Sequence, residues 1–471
     1  MFLRARYFCS FFLVLGAVAI AAAGRLPQQE RLNSAFQAAL AQYNEGKFAE
    51  AAAGLESLLR EVPDSFEVNE LLGLVYSAES QDAKANIRLE KAVQLNPRSA
   101  AARTNLAANL ARLGKADLAR FQFRKAVELE PQSFDANHNM GEFYVRAGKI
   151  PEAIPFLESA QRIAPSSYDN GYDLSLAYST TGELDKARKQ VQELLQQKDT
   201  AELHDLLGEI EEKSGHYVAS ANEFQTAAHM EPSEGNLFDW GTELLLHRTL
   251  DPAVEVFENA VKRYPDSARL YIGLGMALYS RGNYDDAVGA LLKAADLNPS
   301  DPRCYYFLSK AYDSSPSQAS EVIERFRRFT ELQPGNARAI FYYAMSLWKG
   351  KRAQDPGLDF GDVEALLRRA VALDPRLAQA HLQLGNLAFD QKRYAESIPE
   401  YERALEIDSS MADAHYRLGQ AYVHTGQKDR AQKELAKYQL LRAHHLAELD
   451  ERRAEIRQFV YSEREMQAAK P

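Results

Sequence analysis

The sequence predicts an all-α fold in which helix–turn–helix units repeat along nearly the whole chain as a solenoid. Ala, Leu, Glu, Arg, Lys and Gln dominate a composition with 46% hydrophobic and 26% charged residues, which favours helix throughout. At 471 residues the chain is too long for one ordinary core, so a repeat array or several domains are expected. Prolines recur at intervals of 34, 34, 34, 67, 33, 34, 35 and 41 residues, at Pro63, Pro97, Pro131, Pro165, Pro232, Pro265, Pro299, Pro334 and Pro375.

Residues 1–23 are predicted to be a signal peptide. Arg4 and Arg6 give a positive start, an apolar run follows, and Ala21–Ala23 offer small residues for cleavage before Gly24. The chain is therefore expected to be exported, to the periplasm or outside the cell. The alternative is that residues 7–23 are kept as a membrane anchor. Residues 24–31 are predicted to be a short linker to the repeats.

Residues 32–443 are predicted to contain twelve repeat units, each with two amphipathic helices. In the clearest unit, Ala268–Pro299, Leu274, Gly275 and Leu278 mark one face of the first helix. The second helix carries Ala287, Leu291 and Ala294 at the spacing of a helix that buries one side. The position after the leucine is small in all twelve units, which would let the two helices approach closely: Ala39, Gly73, Ala107, Gly141, Ser175, Gly208, Gly241, Gly275, Ser309, Ala344, Gly385 and Gly419.

This pattern of 34 residues, with Leu-Gly-x-x-Tyr, then Ala-x-x-x-Phe, then Pro, resembles the tetratricopeptide repeat (TPR) family over roughly 412 of the 471 residues. The resemblance implies a right-handed superhelical solenoid whose concave groove binds peptide segments of partner proteins. Two stretches depart from the pattern. Seven extra residues fall within 350–362, a predicted loop, and residues 444–471 are predicted to be a capping helix with a polar tail, or alternatively a coiled-coil partner helix.

No catalytic constellation is found in the sequence. The HExxH, GxxxxGK[ST] and GxSxG motifs are absent, and Cys9 and Cys304 are too few for a disulfide framework or a cysteine zinc site. His204, His381 and His415 share an inward position and are interpreted as packed side chains. We therefore predict no catalytic residues, no cofactor and no metal, with an enzyme of unrecognised type as the remaining alternative. The net charge of −10 argues against nucleic acid and against an anionic membrane surface.

The candidate binding surface lies on the inner stripe of the first helices, at positions 2, 5, 9 and 12 of each unit. In units 8 to 10 this stripe combines arginines, aromatic residues and methionines, a composition typical of binding hot spots: Arg269, Ile272, Met276, Tyr279, Arg303, Tyr306, Lys310, Arg338, Phe341, Met345 and Trp348. The alternative is that these side chains pad the inner curve of the solenoid.

The sequence thus predicts an exported scaffold or adaptor that binds a peptide segment, with acidic groups facing the arginines, in cell-envelope assembly or secretion. A membrane-tethered subunit of an envelope complex is the alternative. The oligomeric state is left open.

Overall fold

A computed structural model of the chain describes residues 26–315, 318–354 and 360–443. The secondary structure of these residues is helical, without a strand, which confirms the predicted all-α fold. The predicted signal peptide and the predicted cap at 444–471 lie outside the described residues. The helices are α1 (Leu26–Asn44), α2 (Phe48–Glu61), α3 (Phe66–Ala78), α4 (Asp82–Leu95), α5 (Ala100–Arg112), α6 (Ala116–Leu129), α7 (Phe134–Arg146), α8 (Ile150–Ile163), α9 (Tyr168–Thr181), α10 (Leu184–Gln197), α11 (Ala201–Lys213), α12 (Tyr217–Met230), α13 (Glu234–Leu246), α14 (Leu250–Arg263), α15 (Ala268–Arg281), α16 (Tyr284–Leu297), α17 (Pro302–Ser314), α18 (Ala319–Leu332), α19 (Ala337–Gln354), α20 (Gly361–Leu373), α21 (Ala378–Asp390), α22 (Tyr394–Ile407), α23 (Ala412–His424) and a further helical stretch, α24, over 428–443.

Two boundaries differ from the sequence-based prediction. Helix α1 begins at Leu26, so most of the predicted linker 24–31 is the first part of a helix. The predicted loop 350–362 is shorter than expected, because α19 continues to Gln354 and α20 begins at Gly361. The first helix of unit 10 therefore absorbs part of the insertion as an additional turn.

The chain divides into two compact parts, with the boundary between Gln190 and Val191, inside α10. In each part, consecutive helices pack against each other, and first helices also contact the first helix of the next unit, as α5 does with α7 and α15 with α17. This is the packing of a helical solenoid, in which each repeat buries its apolar faces against its neighbours. None of the described helices combines the length and apolar character needed to cross a membrane.

Recurrent local sequence signals set the ends of the first helices. Serines at the N-cap accept the backbone N–H three residues later, at 3.0–3.3 Å, and so satisfy one of the free donors of the first turn: Ser65, Ser99, Ser133, Ser233 and Ser267. In many units a glycine in the left-handed region makes the turn to the second helix. Gly282, with φ +95°, does so in unit 8.

Two kinds of hydrogen bond recur between helices, one between successive units and one within a unit. A tyrosine late in the first helix donates to a glutamate twenty residues earlier, in the preceding second helix: Tyr76 to Glu56, Tyr178 to Glu158, and Tyr422 to Glu402. A histidine early in the first helix pairs with a glutamate nineteen residues later, in the second helix of its own unit: His204 with Glu223, His381 with Glu400, and His415 with Glu434. The histidines therefore have structural partners, in agreement with the interpretation that they are packed.

Candidate functional site

A cavity of about 160 Å³ lies between the first helices of units 9, 10 and 11. Its apolar lining comes from Tyr306 of α17, Phe326 of α18, and Phe341, Tyr342 and Met345 of α19. The polar lining is Ser309, Lys310, Tyr312, Asp313, Ser346, Gln379 and Gln383. A cavity of roughly 150 Å³ lined by apolar groups is known to hold a benzene-sized molecule. This one has the size for a single aromatic or large aliphatic side chain.

The helical periodicity places these groups on one surface. Tyr306, Lys310 and Asp313 are spaced by four and three residues on α17, and Phe341 and Met345 by four residues on α19. Residues at these spacings share a face of a helix. Three parallel rows, one from each first helix, therefore line the cavity.

The hydroxyl of Tyr312 is an unsatisfied polar group in the lining. The residue is 2% exposed, and its hydroxyl has no hydrogen-bond partner among the described residues. Burial, followed by the charge of Asp313, raises the pKa of Tyr312, so the hydroxyl is a neutral donor at ordinary pH. Buried polar groups are nearly always hydrogen-bonded, so this hydroxyl is a shielded donor that no described residue satisfies.

Two cations next to the cavity have no acidic partner among the described residues. The ammonium of Lys310 is exposed and lies 5.9 Å from the centre of the Tyr306 ring. Arg338 is exposed, and its charge acts on the hydroxyl of the cavity residue Tyr342, partly opposing the effect of burial, which raises the pKa of that hydroxyl. The acidic side chain in the lining, Asp313, is itself paired with Lys349. The rim of the cavity therefore carries a net positive charge.

Four of the predicted site residues come together at this cavity: Tyr306, Lys310, Phe341 and Met345. The other two predicted arginines are engaged with acids of the chain itself. The guanidinium of Arg303 pairs with Asp301 at 2.6 Å. That of Arg269 lies 3.6 Å from the Phe238 ring centre and 3.3 Å from Asp239.

The remaining predicted residues are mostly buried, so they are not an exposed part of the candidate binding surface. Ile272 is 6% exposed and Trp348 is 5% exposed, because both belong to hydrophobic cores, and the Trp348 ring lies 6.3 Å from that of Phe360. Met276 and Tyr279 are partly buried against the same core as Ile272. Phe341 is also largely buried, at 8%, although it lines the cavity. For these positions the padding alternative describes the packing better.

Sequence reasoning missed the contribution of unit 11. Gln379 and Gln383 line the cavity from α21, and Gln379 occupies position 2, the same register as Arg303 and Arg338. Extending the inner stripe by one unit would have found Gln379. Tyr312 lies at position 11 and Tyr342 at position 6, outside the inner stripe at positions 2, 5, 9 and 12, so no signal in the pattern distinguishes them.

The inner face of unit 6 has the opposite charge. Glu202, Asp205 and Glu209 occupy positions 2, 5 and 9 of α11, and Asp239 of α13 lies close to them. Burial, reinforced by the charges of Asp239 and Glu209, raises the pKa of Asp205 to about 7. The inner stripe of unit 6 is therefore acidic, in contrast to Lys310 and Arg338 in units 9 and 10.

Comparison with known proteins identifies the repeats. Family models described as tetratricopeptide repeat match residues 34–65, 104–168, 144–210, 238–302 and 412–445, and a TPR repeat model matches 385–426. These ranges together include more than half of the chain.

Curated relatives share only part of the chain. The mouse protein O-mannosyl-transferase TMTC3 is 25% identical over 190 residues, which are 38% of this chain and 20% of that protein. The human mitochondrial import receptor subunit TOM70 is 24% identical over 206 residues, 42% of this chain and 33% of that protein. The chain thus spans a fifth to a third of the length of these two relatives.

Among solved structures, the C-terminal part of a TPR repeat-containing protein from Cytophaga hutchinsonii is 16% identical. The alignment covers 51% of this chain and 96% of that one, with a TM-score of 0.43. At this level the superposition adds nothing to what the family models show.

Proposed function

Because this chain belongs to the tetratricopeptide repeat family, whose repeats are protein–protein interaction scaffolds, we propose that it binds a segment of a partner protein at the cavity between α17, α19 and α21. The observation that carries the proposal is the combination of an aromatic cavity with two cations, Lys310 and Arg338, that have no acidic partner among the described residues. An aromatic anchor in a pocket with a polar rim is the arrangement of binding hot spots.

The cavity chemistry defines the segment that fits. One aromatic or large aliphatic side chain occupies the cavity against Phe326, Phe341 and Met345. A neighbouring acidic side chain pairs with Lys310 or Arg338. The segment is extended or helical, the two forms in which peptides commonly lie in such grooves.

Site-specific photo-crosslinking tests this proposal. A photoreactive phenylalanine replaces Tyr306, which is 45% exposed and lines the cavity, and Tyr284, a 37% exposed tyrosine at the start of a second helix, serves as the matched control. We expect the Tyr306 probe, and not the Tyr284 probe, to give one dominant crosslinked partner in intact cells. The product should disappear when Lys310→Glu and Arg338→Glu are added. Equal labelling from both positions, or a product that survives these two changes, would overturn the assignment.

We further propose that the protein acts outside the cytoplasm, as an adaptor in cell-envelope assembly or secretion. The support is the sequence of residues 1–23, with its two arginines, apolar run and alanine-rich end. N-terminal sequencing of the mature protein, together with fractionation, tests the proposal. A new N-terminus near Gly24 supports export with cleavage, and an intact Met1 in the membrane fraction supports the anchored alternative. An intact Met1 in the cytoplasm contradicts both.

Binding, rather than catalysis, is the role we propose for the described repeats. One relative carries the name of a transferase, but this chain spans only 20% of its length, and the transferase name belongs to that protein. The geometry on the inner surface is suited to recognition, because it combines a cavity with cations that have no acidic partner among the described residues.

A further inference from the structure

Three potential metal ligands from two successive first helices converge in units 6 and 7. Glu212 lies near the end of α11, Glu243 lies in the last turn of α13, and His247 directly follows α13. One ligand atom of each residue lies within 4.8 Å of those of the other two. Nε2 of His247 is 2.9 Å from a carboxylate oxygen of Glu212 and 3.4 Å from Oε1 of Glu243.

The hydrogen bonds of the cluster do not satisfy all of its members. Glu243 is 3% exposed, and its Oε1 has no hydrogen-bond partner among the described residues. The single Nε2–H of His247 donates to Glu212 at 2.9 Å, so Glu243 is left with only the longer contact of 3.4 Å to the same nitrogen. A buried carboxylate oxygen without a donor is costly unless a cation neutralises it.

The spacing of the atoms matches the coordination shell of a small divalent ion. Zinc binds histidine nitrogen at about 2.0–2.1 Å and carboxylate oxygen at about 2.0–2.2 Å in tetrahedral geometry, which places ligand atoms about 3.3–3.5 Å apart. The 3.4 Å separation is of this size, whereas the 2.9 Å separation is that of a hydrogen bond, which would lengthen when the ion replaces the proton. Water would supply the fourth ligand of a tetrahedral ion. Imidazole together with carboxylates suits zinc better than calcium or magnesium, which prefer all-oxygen sites.

We propose that Glu212, Glu243 and His247 bind one zinc ion that joins the first helices of units 6 and 7. The ion replaces the proton at Nε2 of His247 and coordinates Oε1 of Glu243, the atom that lacks a donor. Its position at the carboxyl end of α13 is favourable for a cation, because the helix dipole is negative there. The ring of Tyr217 lies 4.2 Å from that of His247, with 30° between the planes, and helps fix the orientation of the imidazole.

The site has a structural role in this arrangement. One ligand comes from α11, one from the last turn of α13 and one from the residue that follows α13, so the metal cross-links two repeats at the ends of their first helices. Because the ion binds only where both helices are in place, its binding free energy adds to the stability of this pair of repeats.

Isothermal titration of the full-length, chelator-treated protein with zinc chloride tests the proposal. We expect one site per chain, and Glu243→Gln and His247→Gln should each weaken binding about tenfold or more. The matched control is His381→Gln, which removes a half-buried histidine from a His–Glu pair with a single carboxylate and should leave the affinity unchanged. Substitution with Co²⁺ should give the visible bands of a tetrahedral complex in the parent protein and not in the two ligand variants.

Circular dichroism shows whether each variant is folded, and Glu212→Gln, at a more accessible position on α11, replaces Glu243→Gln if the latter fails to fold. Absence of zinc binding by the parent protein would overturn the proposal. So would zinc binding that persists unchanged in the folded ligand variants, since the ion would then be held by other residues.

Discussion

Gly275 and Leu291 hold the two helices of unit 8 so close together that a Cβ atom on Gly275 would lie 2.4 Å from Cγ of Leu291. Leu291 is fully buried, so its side chain has little freedom to move away. The same relationship recurs elsewhere: a Cβ on Gly73 would lie 2.6 Å from Leu89 Cγ. The small residue of the repeat pattern therefore marks the closest contact between the helices of a unit.

Gly275→Ala should destabilise the second part of the chain by about 1–3 kcal/mol, the usual cost of overpacking a core, even though alanine favours helix by about 1 kcal/mol over glycine. Urea denaturation followed by circular dichroism measures the change. Gly289→Ala on α16 is the matched control, because its Cβ would meet only Nε2 of Gln318, at 3.8 Å. The control should leave stability unchanged or raise it. Equal urea midpoints for the two variants would show that the helices accommodate the added methyl group without a loss of stability.

The fold could be predicted from the sequence because its determinants lie within one repeat. The small residue at Gly275, the large one at Leu291 and the turn glycine at Gly282 are separated by few residues, and their spacing recurs unit after unit. Repetition turns a weak local pattern into a strong prediction, and the all-α solenoid follows from it.

The candidate site could be predicted only in part, because exposure depends on neighbours that the register does not specify. Ile272 and Tyr306 both occupy position 5 of their units, yet they are 6% and 45% exposed. Arg303 and Arg338 both occupy position 2, yet only Arg303 has an aspartate two residues before it that binds its guanidinium. These differences come from individual partners outside the repeat pattern.

Glu70 on α3 should make stability depend on pH. Burial raises its pKa to about 7, although a hydrogen bond from Asn105 at 3.3 Å opposes the shift. A raised carboxyl pKa means that the folded state binds the proton more tightly than the unfolded state. The resulting decrease in the free energy of unfolding is absent below about pH 4.5, grows up to about pH 7 and stays constant above it.

Glu70→Gln should therefore raise the free energy of unfolding at pH 8 on the order of 1–3 kcal/mol and change little at pH 4. Thermal or urea unfolding at the two pH values measures this. Glu50→Gln, at an exposed position on α2, is the control and should show no such gain. A gain of the same size at both pH values would mean that burial of the charge is not the cause.

Cys304 should be unreactive in the folded protein. It is fully buried, its thiol donates to the carbonyl oxygen of Asp301 at 3.0 Å, and burial raises its pKa to about 12. Since the thiolate is the reactive form, an aromatic disulfide reagent should label it only as fast as this region unfolds. Labelling is followed in a Cys9→Ser variant, with Cys9→Ser plus Cys304→Ala as the blank. Rapid, stoichiometric labelling without denaturant would contradict the prediction.

Arg338 should contribute more than Arg303 to the capture of an acidic segment. The guanidinium of Arg303 is paired with Asp301 at 2.6 Å, so the two side chains together present little net charge to a ligand. Arg338 lies on the surface without an acidic partner among the described residues. Arg338→Gln should weaken binding of the partner segment about 3- to 10-fold, as expected for one exposed charge pair, and Arg303→Gln less than about twofold.

Fluorescence anisotropy with the crosslinked segment of the partner measures both affinities, at low and at high salt. The difference between the two variants should shrink as salt rises, because exposed charge pairs are screened. If Arg303→Gln lowered the affinity as much as Arg338→Gln does, the ion pair between Arg303 and Asp301 would have to open when the ligand binds. An unchanged affinity in Arg338→Gln would place the acidic group of the partner at Lys310 instead, where Lys310→Gln should then produce the salt-dependent loss.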